Sequence, residues 1–400
     1  MTAALEDTRV VMILGARQVG KSTLAEEVAM QERGRQILSF DTAATREAAE
    51  RDPKGFVAGL SGPALIDEVQ RVPDILLEIK HAVDQDQRPG RFLLTGSANV
   101  FTAPKVRDAL TGRAEFIRLW PLAQTEIERT ATNLVDALFA GDPPQIRGAP
   151  VGREAFVARV AAGGYPQARR RADPKRRRAW FSSYVESLIE RDLRDLASAQ
   201  KLVEVPRLLR LIASRAGGLY VPGSISQRIG LDAKTVKSYV QLLETVFLVR
   251  VLPAWRPGLG AREVAHGKAC VVDSGLLAHL LNASERRISE DDQISGPILE
   301  SFAAMELLRQ LEWSEVGAGL YHYRRGRQEI DLLLESPEQE VVALEVKAAA
   351  TIRAGDWVAL ERLRDDRGSS FKAGVVLHTG DQTLPLGDRL WALPISALWA

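Results

Sequence analysis

This chain has very little cysteine, no long apolar run and no excess of charge of either sign. Its one cysteine, Cys270, cannot form an internal disulfide, which fits a reducing compartment. No segment approaches the roughly 18–20 apolar residues of a membrane span, and the first residues lack the hydrophobic core of a signal peptide. The net charge is +1, so overall charge gives no reason to expect nucleic acid as a partner. We therefore expect a soluble, cytoplasmic protein without a membrane partner, whose basic surfaces are local.

The remaining composition is that of an ordinary globular protein, with 46% apolar and 26% charged residues among 400. A chain of this length suggests about two to three domains. Cys270 lies in an apolar run over 269–272, and this position favours a small core residue over a nucleophile.

The first motif that points to a chemistry is GARQVGKS, residues 15–22, which follows an apolar run over 10–14. It has the GxxxxGK[ST] pattern between a strand-like and a helix-like segment, the context that this pattern requires. Such a loop aims backbone N–H groups and a helix N-terminus at an anion. We expect Lys21 to reach the β- and γ-phosphates of ATP and Ser22 to ligate Mg²⁺. The predicted nucleotide-binding residues are Gly15, Ala16, Arg17, Gln18, Val19, Gly20, Lys21, Ser22 and Thr23, joined by Ser97 further along the chain.

Four further apolar runs, over 37–40, 64–66, 92–94 and 116–119, alternate with helical segments. This alternation predicts a parallel sheet with helices on both faces.

Acidic residues follow the second of these runs directly. We expect Asp67 to hold Mg²⁺ through water and Glu68 to orient or deprotonate the attacking water. The third run ends in TGSAN, where Ser97 is expected to contact the γ-phosphate or the lytic water, unless the segment is simply a turn that ends the strand. Arg113, before the fourth run, is a candidate arginine finger or sensor, and an arginine on a solvated loop is an equally good interpretation.

The segments GARQVGKSTL, LIDEVQRVPDIL, LLTGSAN and LTGR…LWPLAQTE resemble AAA-type P-loop ATPases that are fused to a C-terminal domain of unknown function. GGYP at 163–166 and ERDL at 190–193 resemble the same family. The resemblance implies ATP and Mg²⁺ as cofactors and a helical lid after the sheet, over 121–204. It also implies a homo-oligomer, because an arginine finger normally comes from a neighbouring subunit.

A basic cluster at 169–171 and 175–178 precedes Trp180, Phe181 and Tyr184. Basic residues with aromatics nearby can bind a phosphate backbone and stack bases. A solvated helix face whose aromatics belong to the core explains the same pattern, and we favour this second interpretation.

A helix, a turn with Gly230 and a second helix over 233–243 are predicted within 205–260. With a β-rich run at 246–252 as the wing, this pattern is typical of a winged helix. Lys234, Lys237, Ser238 and Gln241 would then project toward a DNA major groove. Winged helices also serve as protein-contact modules, so this alternative stays open.

The last part of the chain carries carboxylates and a lysine in a pattern that resembles the PD-(D/E)xK nuclease-like core. Glu345 and Lys347 are two apart on a predicted strand and point to one face, and Asp331 lies on the neighbouring strand of a hairpin. Glu300 heads the apolar row of a helix over 296–311. We expect Glu300, Asp331 and Glu345 to ligate Mg²⁺, and Glu345 with Lys347 to prepare a water for phosphodiester attack.

The predicted fold class is therefore α/β. Its parts are a P-loop parallel-sheet ATPase core over 1–120, a helical lid or linker over 121–204, a winged helix over 205–260 and a restriction-endonuclease-like domain over 261–400. The leading hypothesis is an ATP hydrolase that engages DNA, with branched or damaged DNA as candidate substrates. One alternative keeps the ATPase with a DNA-binding module that does not cleave. Another is a nucleotide switch for protein signalling.

Overall fold

The computed structural model describes residues 1–32, 34–96, 110–141, 151–191, 193, 203–257, 262, 265–326 and 328–400. The chain divides into two compact units. Unit 1 consists of Met1–Trp120, Glu186–Leu202 and Thr245–Phe247, and unit 2 consists of Pro121–Val185, Val203–Glu244 and Leu248–Ala400. Within the described residues, no helix has both the length and the apolar character needed to cross a membrane.

Unit 1 is built on a five-stranded parallel sheet, as the alternating pattern predicts. Its strands β1 to β5 are Val10–Gly15, Gln36–Ser39, Ala64–Asp67, Phe92–Gly96 and Ala114–Leu119. The helices α1 to α5 are Thr2–Asp7, Lys21–Gln31, Ala43–Arg51, Pro53–Ala58 and Ile75–Gln85. The strand order is β2-β3-β4-β1-β5, so β4 lies between β1 and β3. The motifs that end β1 and β3 therefore face one another across the end of β4.

The core of unit 1 explains why β1 is a continuous apolar run. All six residues of β1 are buried, because neighbouring strands flank it and helices pack against the sheet. Ala25 and Ala29 of α2 lie four residues apart and join Val11 and Ile13 in one hydrophobic cluster. Small side chains at these positions let α2 approach the sheet closely, which brings its N-terminus to the end of β1.

The elements that follow along the chain are mostly helical up to residue 245. The helices α6 to α17 are Gln124–Glu128, Leu134–Phe139, Arg153–Ala162, Pro166–Arg169, Pro174–Arg191, Val205–Ala213, Pro222–Ile229, Ala233–Thr245, Ser274–Leu280, Glu285–Glu290, Asp292–Gln310 and Val358–Arg367. The strands β6 to β14 are Val249–Leu252, Ala254–Trp255, Lys268–Val271, Gly319–Arg325, Gln328–Glu335, Val341–Lys347, Phe371–His378, Leu384–Gly387 and Leu390–Pro394.

A seven-stranded mixed sheet organises unit 2, in the order β13-β14-β12-β11-β10-β9-β7. The hairpin of β10 and β11 is antiparallel, as predicted for the segments around Asp331 and Glu345, and β11 pairs with β12 in parallel. Trp255, Leu333 and Phe371 belong to one buried cluster of this sheet. The sheet thus places the predicted hairpin near its centre.

The last residues of the chain are bound into unit 2 by hydrogen bonds over long sequence separations. Gln310 Nε2 donates to the carbonyl oxygen of Leu398 at 2.6 Å, and Thr130 Oγ1 donates to that of Trp399 at 3.0 Å. Both Gln310 and Leu398 are buried. The C-terminal turn therefore completes the packing around α16.

The helical lid is predicted over 121–204. Its described residues up to Val185 belong to unit 2. There α8 packs against α14 and α15. The lid assignment and the boundaries at 120, 204 and 260 stay predictions.

Two helices separated by a left-handed glycine occur where the winged helix is predicted. Gly230 follows α12 with a φ of +73°, and α13 begins at Ala233. The strand β6 pairs antiparallel with β8, and Cys270 on β8 is buried, which confirms its core position. Burial raises the pKa of this thiol to about 12, so it is a poor nucleophile at neutral pH.

The GGYP segment has a structural explanation. The backbone N–H of Gly164 donates to Asp273 Oδ2 at 2.6 Å, and Asp273 Oδ1 caps α14 by accepting from the N–H of Leu276 at 2.8 Å. A Cβ on Gly163 would lie 2.3 Å from Asp273 Oδ1, and the φ of Gly163 is +69°. Gly163 is therefore needed for the buried carboxylate to reach the backbone, whereas Gly164 is needed because a Cβ there would lie 2.3 Å from the carbonyl oxygen of Leu122.

The aromatic residues near the basic cluster belong to the core, as the favoured interpretation predicts. Phe181 and Tyr184 are buried against Tyr165, whose hydroxyl lies 3.1 Å from that of Tyr184. Trp180 is half-buried, and the Arg171 guanidinium lies 5.9 Å from the centre of its ring. Phe181 and Tyr184 therefore belong to the core, whereas Trp180 is partly exposed.

Buried His322 predicts that unit 2 loses stability in acid. Its Nε2 donates to the carbonyl oxygen of His266 at 2.9 Å, and Nδ1 has no hydrogen-bond partner among the described residues. Burial lowers the pKa to about 4 from 6.5, so the stabilisation is present above pH 6.5 and is lost as the pH falls toward 4. We expect a loss of at most about 3 kcal/mol, measured by urea unfolding from pH 7 to pH 4. His322→Gln should flatten this dependence, and an unchanged slope in the variant would contradict the assignment.

Candidate functional site

The loop after β1 has the tight backbone that a phosphate cradle requires. A Cβ at Gly15 would lie 2.2 Å from the carbonyl oxygen of Leu119, so only glycine fits there. Gln18 and Gly20 adopt left-handed conformations, with φ of +62° and +105°. Gly20 directly precedes α2, whose first residue is Lys21. The loop therefore curls around the helix N-terminus, where unpaired N–H groups attract an anion.

Lys21 is held across this loop. Its Nζ donates to the carbonyl oxygens of Gly15 and Ala16 at 3.2 and 2.9 Å, and the residue is 5% exposed. A buried ammonium at the first residue of α2 is suited to the β- and γ-phosphates of a nucleotide. The flanking positions Arg17, Val19 and Thr23 belong to the same loop and first helical turn, as predicted.

Ser22 and Asp67 meet at the ends of β1 and β3. Ser22 Oγ donates to Asp67 Oδ1 at 2.7 Å, and Ser39 Oγ donates to Asp67 Oδ2 at 3.3 Å. A hydroxyl and a carboxylate are hard oxygen ligands of the kind that Mg²⁺ takes in nucleotide sites. These residues therefore fit a magnesium ion.

Thr95 connects Asp67 to the backbone of Glu68. Its hydroxyl donates to Asp67 Oδ1 and accepts from the N–H of Glu68 at 3.1 Å. Glu68 has a left-handed φ of +60°, and Gln70 Nε2 donates to its carboxylate. A non-glycine residue in this conformation is uncommon and often marks a functional position. The predicted contact residue Ser97 lies outside the described residues.

Arg113 is engaged by a neighbour within unit 1. It makes two hydrogen bonds to Asp84, at 2.6 and 2.9 Å, and these bonds raise the pKa of Arg113 and lower that of Asp84. The contacts described for Arg113 do not include the loop after β1. The arginine-finger role stays a prediction.

A parallel sheet with this loop, its lysine and the serine–aspartate pair defines a P-loop nucleotide-binding domain. Residues 7–128 match a family model described as an AAA domain. This part of unit 1 is therefore similar to AAA domains, and a nucleotide is its expected ligand. Residues 153–287 and 295–398 match two models described as domains of unknown function, DUF8612 and DUF4143.

The chain is also similar to two curated relatives, the uncharacterized proteins Mb2031c of Mycobacterium bovis and Rv2008c of Mycobacterium tuberculosis. Each is 27% identical over 98% of this chain and 81% of the relative. Among solved structures, a Thermotoga maritima RuvB is 17% identical with a TM-score of 0.29, covering 63% of this chain and 87% of that one. An Acinetobacter baumannii shikimate kinase in complex with shikimate is 19% identical with a TM-score of 0.19, and the match covers 33% of this chain and 66% of the kinase.

In unit 2, the structure brings together most of the carboxylates predicted as a nuclease-like site. Lys347 Nζ donates to Glu345 Oε2 at 3.3 Å, which confirms that the two share a face of β11. Asp331 Oδ2 accepts from the backbone N–H of Val346 at 2.9 Å. Glu300, on α16, forms an ion pair with a lysine that also lies near Asp331.

That residue is Lys268, which the sequence did not reveal. Its Nζ lies 2.6 Å from Glu300 Oε1, 3.1 Å from Glu329 Oε1 and 3.6 Å from Asp331 Oδ1. Lys268 is 1% exposed. Over the described part of the chain, no three histidine, cysteine, aspartate or glutamate side chains are arranged to hold one metal ion.

Burial and mutual repulsion shift the pKa values of this cluster. Burial, together with the charge of Asp331, raises the pKa of Glu345 to about 9. The same two causes raise the pKa of Glu300 to about 7, although Lys268 opposes the shift. For Lys268 burial would lower the pKa, but Glu300 and Asp331 outweigh it and raise the value above the usual range. Lys268 therefore stays cationic at neutral pH.

The helix α13 presents the face that was predicted for DNA. Lys234, Lys237, Ser238 and Gln241 are all exposed, whereas Val236 on the opposite side is buried. The exposure is confirmed, and contact with DNA stays a prediction.

Sequence reasoning missed Lys268, Glu329 and Ser39. Lys268 begins a short buried strand, and a charged residue at a strand boundary gives no signal by itself. Glu329 was visible beside Asp331, but nothing in the spacing separated it from an ordinary exposed carboxylate. Ser39 ends β2, so only the strand order brings it to Asp67.

Proposed function

We propose that this chain is a magnesium-dependent ATP hydrolase of the AAA type that engages DNA. The observation that carries the hydrolase part is the pairing of Ser22 with Asp67 at 2.7 Å beside the buried ammonium of Lys21. This arrangement supplies the cation, the hydroxyl and the carboxylate that a nucleotide with its magnesium ion requires.

The chain's own residues have separate tasks in this proposal. The loop N–H groups and Lys21 bind and orient the phosphates, and Ser22 with Asp67 would hold Mg²⁺, which would neutralise phosphate charge when bound. Glu68 accepts a proton from the attacking water or orients it. Thr95 fixes the direction of Glu68 through its backbone.

Glu68→Gln tests this division of tasks. The amide keeps the size of the side chain but accepts a proton poorly, so we expect ATP hydrolysis to fall about 100-fold while ATP binding is retained. Steady-state phosphate release and equilibrium binding of a fluorescent ATP analogue measure the two quantities. Glu78→Gln, on α5, is a suitable control at a residue outside the site. Loss of binding together with hydrolysis in Glu68→Gln would assign Glu68 to binding instead.

The DNA part of the proposal rests on the exposed face of α13. Lys234 and Lys237 lie there on one surface with Ser238 and Gln241, a set that combines phosphate contacts with hydrogen-bonding side chains. The net charge of +1 means that such a local surface, rather than the whole protein, would attract DNA.

The double variant Lys234→Ala and Lys237→Ala tests the DNA part. If both lysines contact phosphates, the slope of the logarithm of the DNA-binding constant against the logarithm of the salt concentration should become shallower by about 2. The affinity for DNA should also fall at least tenfold at low salt. Fluorescence anisotropy with linear, forked and four-way DNA measures both, and Lys54→Ala with Lys372→Ala is the charge-matched control. Unaltered DNA binding in the double variant would show that this face of α13 does not contact DNA. ATP hydrolysis that is indifferent to every DNA tested, together with no DNA binding, would favour the protein-signalling switch.

A further inference from the structure

The carboxylates of unit 2 already surround a cation that belongs to the chain. Lys268 Nζ contacts Glu300 at 2.6 Å and Glu329 at 3.1 Å, and it lies 3.6 Å from Asp331. A divalent ion bound to these oxygens would lie within a few ångströms of the ammonium, and the two cations would repel each other strongly.

Lys268 has little freedom to leave this position. It pairs with Leu252 in the β6–β8 ladder and bridges to Leu219 on its other side, so its backbone is fixed in both directions. Its side chain is 1% exposed. An ammonium withdrawn from these carboxylates would have to enter the protein interior unpaired, which is costly.

The backbone also closes over the other oxygen of Glu300. Gly217 has a φ of +75°, and a Cβ there would lie 2.5 Å from Glu300 Oε2. Mg²⁺ usually keeps several of its waters when it binds to one or two carboxylates, and this needs space around the oxygens. With the Lys268 ammonium in place, the space around Glu300 therefore does not accommodate a hydrated metal ion.

We propose that the Lys268 ammonium is the resident counter-ion of Glu300, Glu329 and Asp331 and takes the place of a divalent metal there. The proposal goes beyond the ATP- and DNA-related function and does not depend on it. It implies that these three carboxylates do not hold a metal ion for the cleavage of DNA. Lys268 is a positioning residue: it holds α16 and β10 together through their carboxylates.

Manganese binding tests the proposal on the full-length chain. Asp67→Asn serves as the background, without nucleotide, so that the P-loop site contributes no metal signal. We expect no Mn²⁺ bound more tightly than about 1 mM in this background, as followed by electron paramagnetic resonance of the free ion. Adding Lys268→Gln should create a site at least about tenfold tighter, because two or three carboxylates are then uncompensated. Lys372→Gln, which removes the surface partner of Glu340, is the control and should create none.

Glu300→Gln in the same background keeps the test decisive if Lys268→Gln does not fold. We expect the Mn²⁺ titration to be unchanged by this variant, since no metal uses Glu300. A Mn²⁺ site that is present with Lys268 in place and lost in Glu300→Gln would overturn the proposal. So would a Lys268→Gln protein that folds and gains no Mn²⁺ affinity.

Discussion

Lys21→Ala is expected to abolish most ATP hydrolysis, by about 1000-fold, with a large loss of nucleotide affinity. The ammonium is buried over the loop, where the surroundings do not screen its charge as water would. Removing one preorganised cation or donor from a site that stabilises developing charge typically costs 100- to 1000-fold in rate, roughly. Phosphate release under saturating ATP and Mg²⁺ measures the effect.

The fold of the loop should be retained in Lys21→Ala, so a loss of hydrolysis can be attributed to the missing ammonium. Lys21 begins α2, and alanine is a good helix former, so folding should be retained and can be checked by thermal unfolding. Lys54→Ala, at an exposed lysine of α4, should hydrolyse ATP at the parent rate. Hydrolysis that persists in Lys21→Ala would disprove the ATPase part of the proposed function.

Glu306→Ala is expected to cause the largest loss of stability, about 3–5 kcal/mol, because it leaves a buried guanidinium without its partner. Glu306 is fully buried on α16 and forms an ion pair with Arg309. Its Oε2 also accepts from the N–H of Gln124 at 2.8 Å. The alanine variant removes both interactions, so the melting temperature of unit 2 should fall by about 10 °C.

Scanning calorimetry at neutral pH measures this change. Glu290→Ala provides the matched control, because Glu290 and its partner Arg286 are largely exposed and lie 4.0 Å apart. Exposed pairs contribute little, so that variant should change stability by less than about 0.5 kcal/mol. Equal melting temperatures for Glu306→Ala and the parent protein would show that the Arg309 charge is compensated elsewhere.

Most of unit 1 could be predicted because its signals are local in the sequence. GARQVGKS is continuous, and the apolar runs of β1 and β3 have their functional residues directly after them. The contact of Thr95 with Asp67 was not predictable, because it depends on β4 lying between β1 and β3. Strand order is set by packing over the whole sheet, and no short segment encodes it.

The carboxylate cluster of unit 2 shows the limit of spacing arguments more clearly. The hairpin and the shared face of Glu345 and Lys347 followed from the two-residue period of a strand. The partner of Glu300 could not be predicted in this way, because Lys268 lies 32 residues earlier, on strand β8, whereas Glu300 lies on helix α16. The residue types alone therefore suggested a metal site, whereas the fold brings a lysine to Glu300. Only the three-dimensional arrangement distinguishes a metal site from a carboxylate paired with a lysine.

The hydrogen bonds that bind Leu398 and Trp399 into unit 2 have a consequence for synthesis on the ribosome. The strands of the parallel sheet are complete once Leu119 has emerged, so most of unit 1 can collapse early. The hydrogen bond of Thr130 can form only after Trp399, 269 positions later, has been synthesised. The early helices of unit 2 therefore spend most of translation with apolar faces uncovered. Chaperone dependence of this protein should accordingly concentrate in unit 2.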